Sequence, residues 1–158
     1  LYTRDNGQEV LWATGTGARA RGTGHVCVVV AGDGAEAWAY GDGAEATAHG
    51  EGARAWATGV GARATAHGDG AEAWAYGVGA EAWVTGEGAE AWATGYRARA
   101  WATGKAVEAW VIGVGAEACA TGDGAKAWAD GKGAEACVNG EGAKAWINDV
   151  LQEAEASL

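Results

Sequence analysis

The sequence predicts an all-β chain, a parallel β-solenoid of nine-residue repeats with two strands and eighteen residues per coil, a thin alanine core and a short C-terminal helix. Three periodicities carry this reading. Glycine recurs every nine residues, side chains alternate in character with a period of two inside each repeat, and tryptophan recurs every eighteen. A fixed repeat length decides architecture before local propensity does, because each unit buries its apolar face only by stacking on its neighbours.

The glycine period organises the chain into three parts. Residues 1–31 read as an N-terminal cap and irregular first coils, residues 32–148 as the regular solenoid, and residues 149–158 as a C-terminal helical cap. In the first part, Val10, Leu11 and Trp12 suggest a capping strand. Residues 15–23 fit the repeat, and residues 24–31 are a version one residue short, with Val26, Val28 and Val30 in place of inward alanines.

Thirteen repeats follow, with the consensus G-x-G-A-(E/R/K)-A-W-A-x. Glycine holds the first position in all thirteen and the third position in eleven, where Arg97 and Ala106 are the exceptions. Together with Tyr96, these two mark an expected bulge or local contact site. Positions 4, 6 and 8 are alanine at 34 of 39 sites, the others being Val84, Val107, Val111, Val138 and Ile147. Position 5 is charged in every repeat, and a charge in every rung cannot face a dry core without a large desolvation cost. Period-two alternation therefore turns the alanines inward and positions 5, 7 and 9 outward. Glycine suits the corners, where a sharp bend between sheets needs positive φ. Beyond the last repeat, Ile147, Val150, Leu151, Ala154 and Leu158 are spaced by three and four, the pattern of an amphipathic helix.

Position 7 of alternate repeats reads Trp38, Trp56, Trp74, Trp92, Trp110, Trp128 and Trp146. Such a ladder on an outer face would expose an apolar strip near ~700 Å², against the ~300–600 Å² that monomers usually leave uncovered. These seven residues are the candidate interface, covered by another chain, shielding one another by stacking, or offering a binding surface to an unidentified surface ligand. The other face carries Glu45, Arg63, Glu81, Arg99, Glu117 and Glu135 at position 5, a mostly alternating column that favours in-register stacking.

Composition closes off several functional classes. With 29 Gly and 41 Ala but no Phe or Met, a formal net charge of -10 would suit a disordered chain, yet ten Trp and no Pro argue the other way. The acidic balance argues against a nucleic-acid partner, and no apolar run approaches the length of a membrane span. A calcium β-roll would need an acid at position 5, which is Arg or Lys in five of thirteen repeats. Asp33, Asp42, Asp69 and Asp123 occupy corner position 2 instead. His49 and His67 stack on adjacent coils without further ligands of suitable type, so no metal or other cofactor is expected. Cys119 and Cys137 stack likewise, at a separation open to a disulfide or to two free thiols, while Cys27 lies outside this column. Ser157 is the sole serine, nothing resembles a phosphate loop, and no catalytic constellation stands out, so the chain does not read as an enzyme.

The G-x-x-A-x-A core of residues 32–148 resembles the head repeats of trimeric autotransporter adhesins, and the Gly/Ala/Trp nonapeptides resemble tracts in phage fibres and surface proteins. The likeness implies a parallel β-roll with small inward residues in an extracellular or virion-surface assembly. It lacks the S-V-A-I-G segments of those heads, which do not have a tryptophan ladder. The leading expectation is a non-enzymatic structural solenoid that forms a homo-oligomer or fibre through its Trp face. Two alternatives stand beside it: an ice-binding solenoid, supported by Thr58, Thr85, Thr94, Thr103 and Thr121, and an acidic rod mimicking duplex DNA, opposed by Arg54, Arg63, Arg99, Lys126 and Lys144.

Overall fold

The structure is a computed structural model, and it describes residues 2–3, 8–148 and 150–152. The chain runs through β1 (Tyr2–Thr3), β2 (Glu9–Thr14), β3 (Arg19–Thr23), β4 (Val26–Ala31), β5 (Glu36–Tyr40), β6 (Glu45–His49), β7 (Arg54–Thr58), β8 (Arg63–His67) and β9 (Glu72–Tyr76). It continues through β10 (Glu81–Thr85), β11 (Glu90–Thr94), β12 (Arg99–Thr103), β13 (Glu108–Ile112), β14 (Glu117–Thr121), β15 (Lys126–Asp130), β16 (Glu135–Asn139), β17 (Lys144–Ile147) and β18 (Val150–Gln152). Even-numbered strands from β2 to β16 form one sheet with β1, and odd-numbered strands from β3 to β17 form the other with β18. We call these the even and the odd sheet.

This is the parallel two-strand coil that the periodicities predict. Each strand of the regular region pairs in parallel with the strand two places on, in a register of eighteen residues, as in Ala82 with Ala100 and Trp92 with Trp110. The short unit leaves its mark on the register. Arg19 opposes Glu36 and Val10 opposes Cys27, a separation of seventeen. From Cys27 opposite Glu45 onward the register is eighteen.

The core is the predicted alanine stack, with Ala37, Ala55, Ala73, Ala91 and Ala109 fully buried on the odd sheet and Ala46, Ala64, Ala82 and Ala100 on the even one. Val26, Val28 and Val30 thicken it near the N-terminal end. Methyl groups occupy little depth, so the stability of each coil rests heavily on its backbone ladder, which continues through the corners. The N–H groups of Gly59 and Gly61 donate to the carbonyls of Tyr76 and Val78 at 2.9 and 2.8 Å.

Two expectations are corrected. Val150–Gln152 is a strand that pairs antiparallel with β17, Ile147 opposite Val150 and Trp146 opposite Leu151, so the predicted helix does not form there. The three-and-four spacing of Ile147, Val150 and Leu151 was a weak discriminator, because a tight turn at Asn148, whose φ is 49°, folds the chain back onto an open sheet edge that offers ladder hydrogen bonds. Residue 149 and residues 153–158 of that expected cap lie outside the described residues. At the other end of the stack, β1 pairs antiparallel with β2, Tyr2 opposite Val10.

The second correction concerns Arg97 and Ala106, which create no bulge. Both take left-handed φ values of 55°, and their N–H groups make the ordinary corner bonds to Val114 and Asp123 at 2.9 and 2.8 Å. The two glycines of a corner therefore do different work. At the first position, a methyl on Gly77 would lie 2.0 Å from the Gly59 carbonyl oxygen of the preceding coil. At the third, Gly79 has φ +66° and open space around an added Cβ. Only the third position tolerates a side chain, at the ordinary cost of left-handed backbone.

Candidate functional site

Outward side chains stand in columns because successive coils superpose residues eighteen apart. On the odd sheet the Trp column runs next to the charged position 5 column on one side and the position 9 column on the other. The rings stack: Trp38–Trp56, Trp56–Trp74, Trp92–Trp110, Trp110–Trp128 and Trp128–Trp146 have centroids 5.1, 4.7, 4.9, 3.8 and 4.6 Å apart, with interplanar angles of 10° or less. All seven predicted interface tryptophans are half-buried rather than exposed. Trp92 and Trp110 also donate their indole N–H to Glu90 and Glu108, each at 3.3 Å. Mutual stacking thus shields much of the apolar strip that residue counting assigned to solvent.

Exposed apolar surface lies beside the ladder. Among the described residues, eight large hydrophobic side chains are exposed, and six of them are Val60, Tyr76, Val78, Tyr96, Ile112 and Val114. Tyr76 and Ile112 occupy position 9 of odd strands, and the other four occupy position 2 of the corners that lead from the odd sheet to the even one. They form one continuous edge across four coils. The composite position 2 column looked mixed because the two edges of the coil alternate along the chain. Sorted at eighteen, this edge reads Asp42, Val60, Val78, Tyr96, Val114, Lys132, and the opposite edge reads Asp33, Glu51, Asp69, Glu87, Lys105, Asp123, Glu141. The eighteen-residue period that revealed the tryptophans also carries this signal.

The corner aspartates have a structural task. Asp42 Oδ1 accepts the Val60 N–H at 3.1 Å, and Asp69 Oδ1 accepts the Glu87 N–H at 2.9 Å. Asp33 and Asp123 accept the N–H groups of Glu51 and Glu141 at 3.3 Å each. Each carboxylate ties its corner to the next coil, and among the described residues no group of three metal-ligating side chains occurs.

Charged columns pair along the stack where opposite signs are neighbours, on the even sheet as its mostly alternating column predicts and on the odd sheet as well. Arg63 bridges Glu45 and Glu81, Arg54 meets Glu72, Arg99 meets Glu117 and Lys126 meets Glu108, at 3.0 to 3.9 Å. These pairs are largely solvent-exposed and each contributes little, about 0.2–1 kcal/mol at most. Glu72 is held above the ordinary carboxylate range, chiefly by partial burial, against which Arg54 pulls it down and Glu90 pushes it up.

On the even sheet, position 7 steps from Thr47 and Thr65 to Trp83 and Trp101, which stack at 4.2 Å, and then to Cys119 and Cys137, which form a disulfide across adjacent rungs with Cα atoms 4.6 Å apart. At the step, Arg63, Thr65, His67, Glu81, Trp83 and Thr85 line a shallow open groove. His67 stacks on His49 at 4.8 Å, and burial together with the neighbouring imidazole lowers its pKa.

The chain matches no protein-family model, no curated protein and no solved structure. The chain folds as a parallel β-solenoid of stacked coils, consistent with the β-roll that the resemblance to adhesin heads and fibre tracts implies. No described helix is long and apolar enough to cross a membrane.

Proposed function

We propose that the chain is a non-enzymatic structural solenoid that self-associates sideways within a fibre or surface assembly, at an extracellular or virion surface. One observation carries this reading: six of the eight exposed large hydrophobic side chains among the described residues are gathered along a single long edge continuous with the tryptophan ladder. Scattered exposed hydrophobics need no explanation, whereas a contiguous row is the usual mark of a contact surface. The disulfide suits an oxidising location. The acidic-rod alternative draws support from the Asp33–Glu141 edge, but both position 5 columns carry basic residues, and Arg63, Arg99 and Lys126 are paired within the chain.

Light scattering tests the reading. The wild-type chain is expected to exceed its monomer mass of 15.8 kDa as concentration rises, and replacement of the exposed Tyr76 and Ile112 by Ser is expected to weaken association. A wild-type mass that stays at 15.8 kDa at every concentration would remove the proposal.

A further inference from the structure

We infer that the apolar edge docks against the same edge of a second copy of this chain, antiparallel, about a two-fold axis that passes between the Val78 and Tyr96 corners. This rests on the self-association reading above and specifies its surface, symmetry and register.

The argument starts from the order of side chains along the edge. The corner column reads Asp42, Val60, Val78, Tyr96, Val114, Lys132, at one coil per step. An antiparallel two-fold between the third and fourth members sets Val78 against Tyr96 of the partner subunit and Val60 against Val114 of the partner subunit. At both ends Asp42 meets Lys132 of the partner subunit. The neighbouring position 9 column reads Tyr40, Thr58, Tyr76, Thr94, Ile112, Asp130, and the same axis places Thr58 against Ile112 of the partner subunit and the Tyr40 hydroxyl against the Asp130 carboxylate of the partner subunit. Apolar residues meet across the centre, and the polar and charged pairs fall at the rim, as in known interfaces.

Other arrangements fail on charge. A parallel two-fold, with its axis along the rod, sets every residue against its own copy, so Asp42 faces Asp42, and Lys132 faces Lys132. It would also put the odd sheet of one chain beside the even sheet of the other. Shifting the antiparallel axis onto Val78 sets Asp42 against Val114 and leaves Lys132 opposite His25. The chosen register is the one that neutralises both ends, and self-complementarity of one patch is what an isologous contact requires.

The arrangement also explains where the exposure lies. An antiparallel axis perpendicular to the rod keeps both odd sheets on the same side, so two Trp ladders become one broad continuous face. Arg97, over the Tyr96 ring at 5.4 Å, then lies opposite the bare Gly79 corner. Six rungs at ~4.8 Å and a width of ~15 Å give ~450 Å² per chain, below the size of a standard stable interface. The dimer is therefore expected to be weak, with a dissociation constant in the micromolar range or above.

Two measurements test this. The first is mass by light scattering from about 1 µM to about 1 mM, for the wild type, Asp42→Lys, Lys132→Asp and the double exchange. Each single exchange is expected to weaken the dimer about tenfold, and the double exchange is expected to restore it. Asp42 and Lys132 are both exposed, and circular dichroism checks the fold; because Asp42 Oδ1 also accepts the Val60 N–H, Asp42→Asn, which keeps that acceptor without the charge, separates loss of the corner bond from loss of the ion pair. The second is oxidative cross-linking without reductant of the variant carrying both Val60→Cys and Val114→Cys, against Val60→Cys alone. The antiparallel register gives a covalent dimer only for the pair, whereas a parallel register gives it for the single variant. A self-associating wild type whose dimer ignores both charge exchanges, or cross-links through Val60→Cys alone, overturns the inference and leaves the self-association reading intact. A wild type that is monomeric throughout overturns both.

Discussion

Replacing Gly77 and Gly79 by alanine, one at a time, separates two explanations of the glycine period that the repeat alone does not distinguish. If glycine serves only to permit positive φ, the two substitutions should differ by no more than about 1 kcal/mol, the spread between the backbone costs of the two corners. The structure says otherwise. A methyl on Gly77 falls 2.0 Å from the Gly59 oxygen and 2.7 Å from its carbon, where ordinary contact begins at 3.4 Å, so the two coils must separate by about 1.4 Å. The hydrogen bonds that bracket this contact, Gly59 N–H to Tyr76 and Gly61 N–H to Val78, start at 2.9 and 2.8 Å. Lengthening them by that amount takes both beyond useful range, a loss of about 1 kcal/mol each. The φ of +140° adds about 1–3 kcal/mol for any residue with a Cβ. Alanine recovers about 0.4–1 kcal/mol by restricting the unfolded chain, leaving a net destabilisation of about 3 kcal/mol. At Gly79, with φ +66° and nothing within 4 Å of an added methyl, only the left-handed backbone cost of about 1–2 kcal/mol applies, and the net effect is about 0.5–1 kcal/mol. Urea denaturation followed by circular dichroism reads the difference. Gly77→Ala should also lower the slope of the transition, because a broken coil contact divides a stack whose cooperativity passes only between neighbours. Equal destabilisation by the two variants would refute the close-approach argument.

Reduction of the Cys119–Cys137 disulfide releases a loop of eighteen residues and is expected to cost about 3 kcal/mol, seen as a lower urea midpoint with reductant in the wild type and no reductant effect in the Cys119→Ala, Cys137→Ala double variant. Stability is also expected to fall on mild acidification. The folded chain binds a proton at His67 less readily than the unfolded chain does, so its contribution is intact above the unfolded value of 6.5 and is lost as pH drops through that value toward the lowered folded one. Urea midpoints from about pH 7.5 to about pH 5.5 should slope less in His67→Thr than in the wild type, and parallel slopes would rule this residue out. Glu72 acts in the opposite sense at lower pH, because its raised folded pKa means that acidification toward 4.5 relieves a cost carried at neutral pH.

Much of this protein is legible in its sequence. A strand's period of two and a charge in every rung left a single possible phase, so the buried alanines, the outward tryptophans and the ion-paired columns follow from spacing and desolvation. The apolar edge was legible too, but only after the corner residues are sorted at eighteen, since Val60 and Glu51 belong to opposite edges of the same coil. What spacing does not carry is distance between coils. The obligatory character of the first corner glycine comes from a carbonyl of the preceding coil, and Arg97 and Ala106 are admitted at the third because nothing stands there. Ring stacking, decided by how closely the rungs approach, turned an exposed tryptophan strip into a half-buried one and moved the open apolar surface to Val78, Tyr96 and their neighbours. Val150–Gln152 became a strand for the same kind of reason: an open sheet edge beside Asn148 supplies backbone partners that no local pattern reveals. Sequence determined the repeat, its phase and its faces, because these are properties of one strand's geometry; tertiary structure decided which atoms meet, because that depends on the coil above and below.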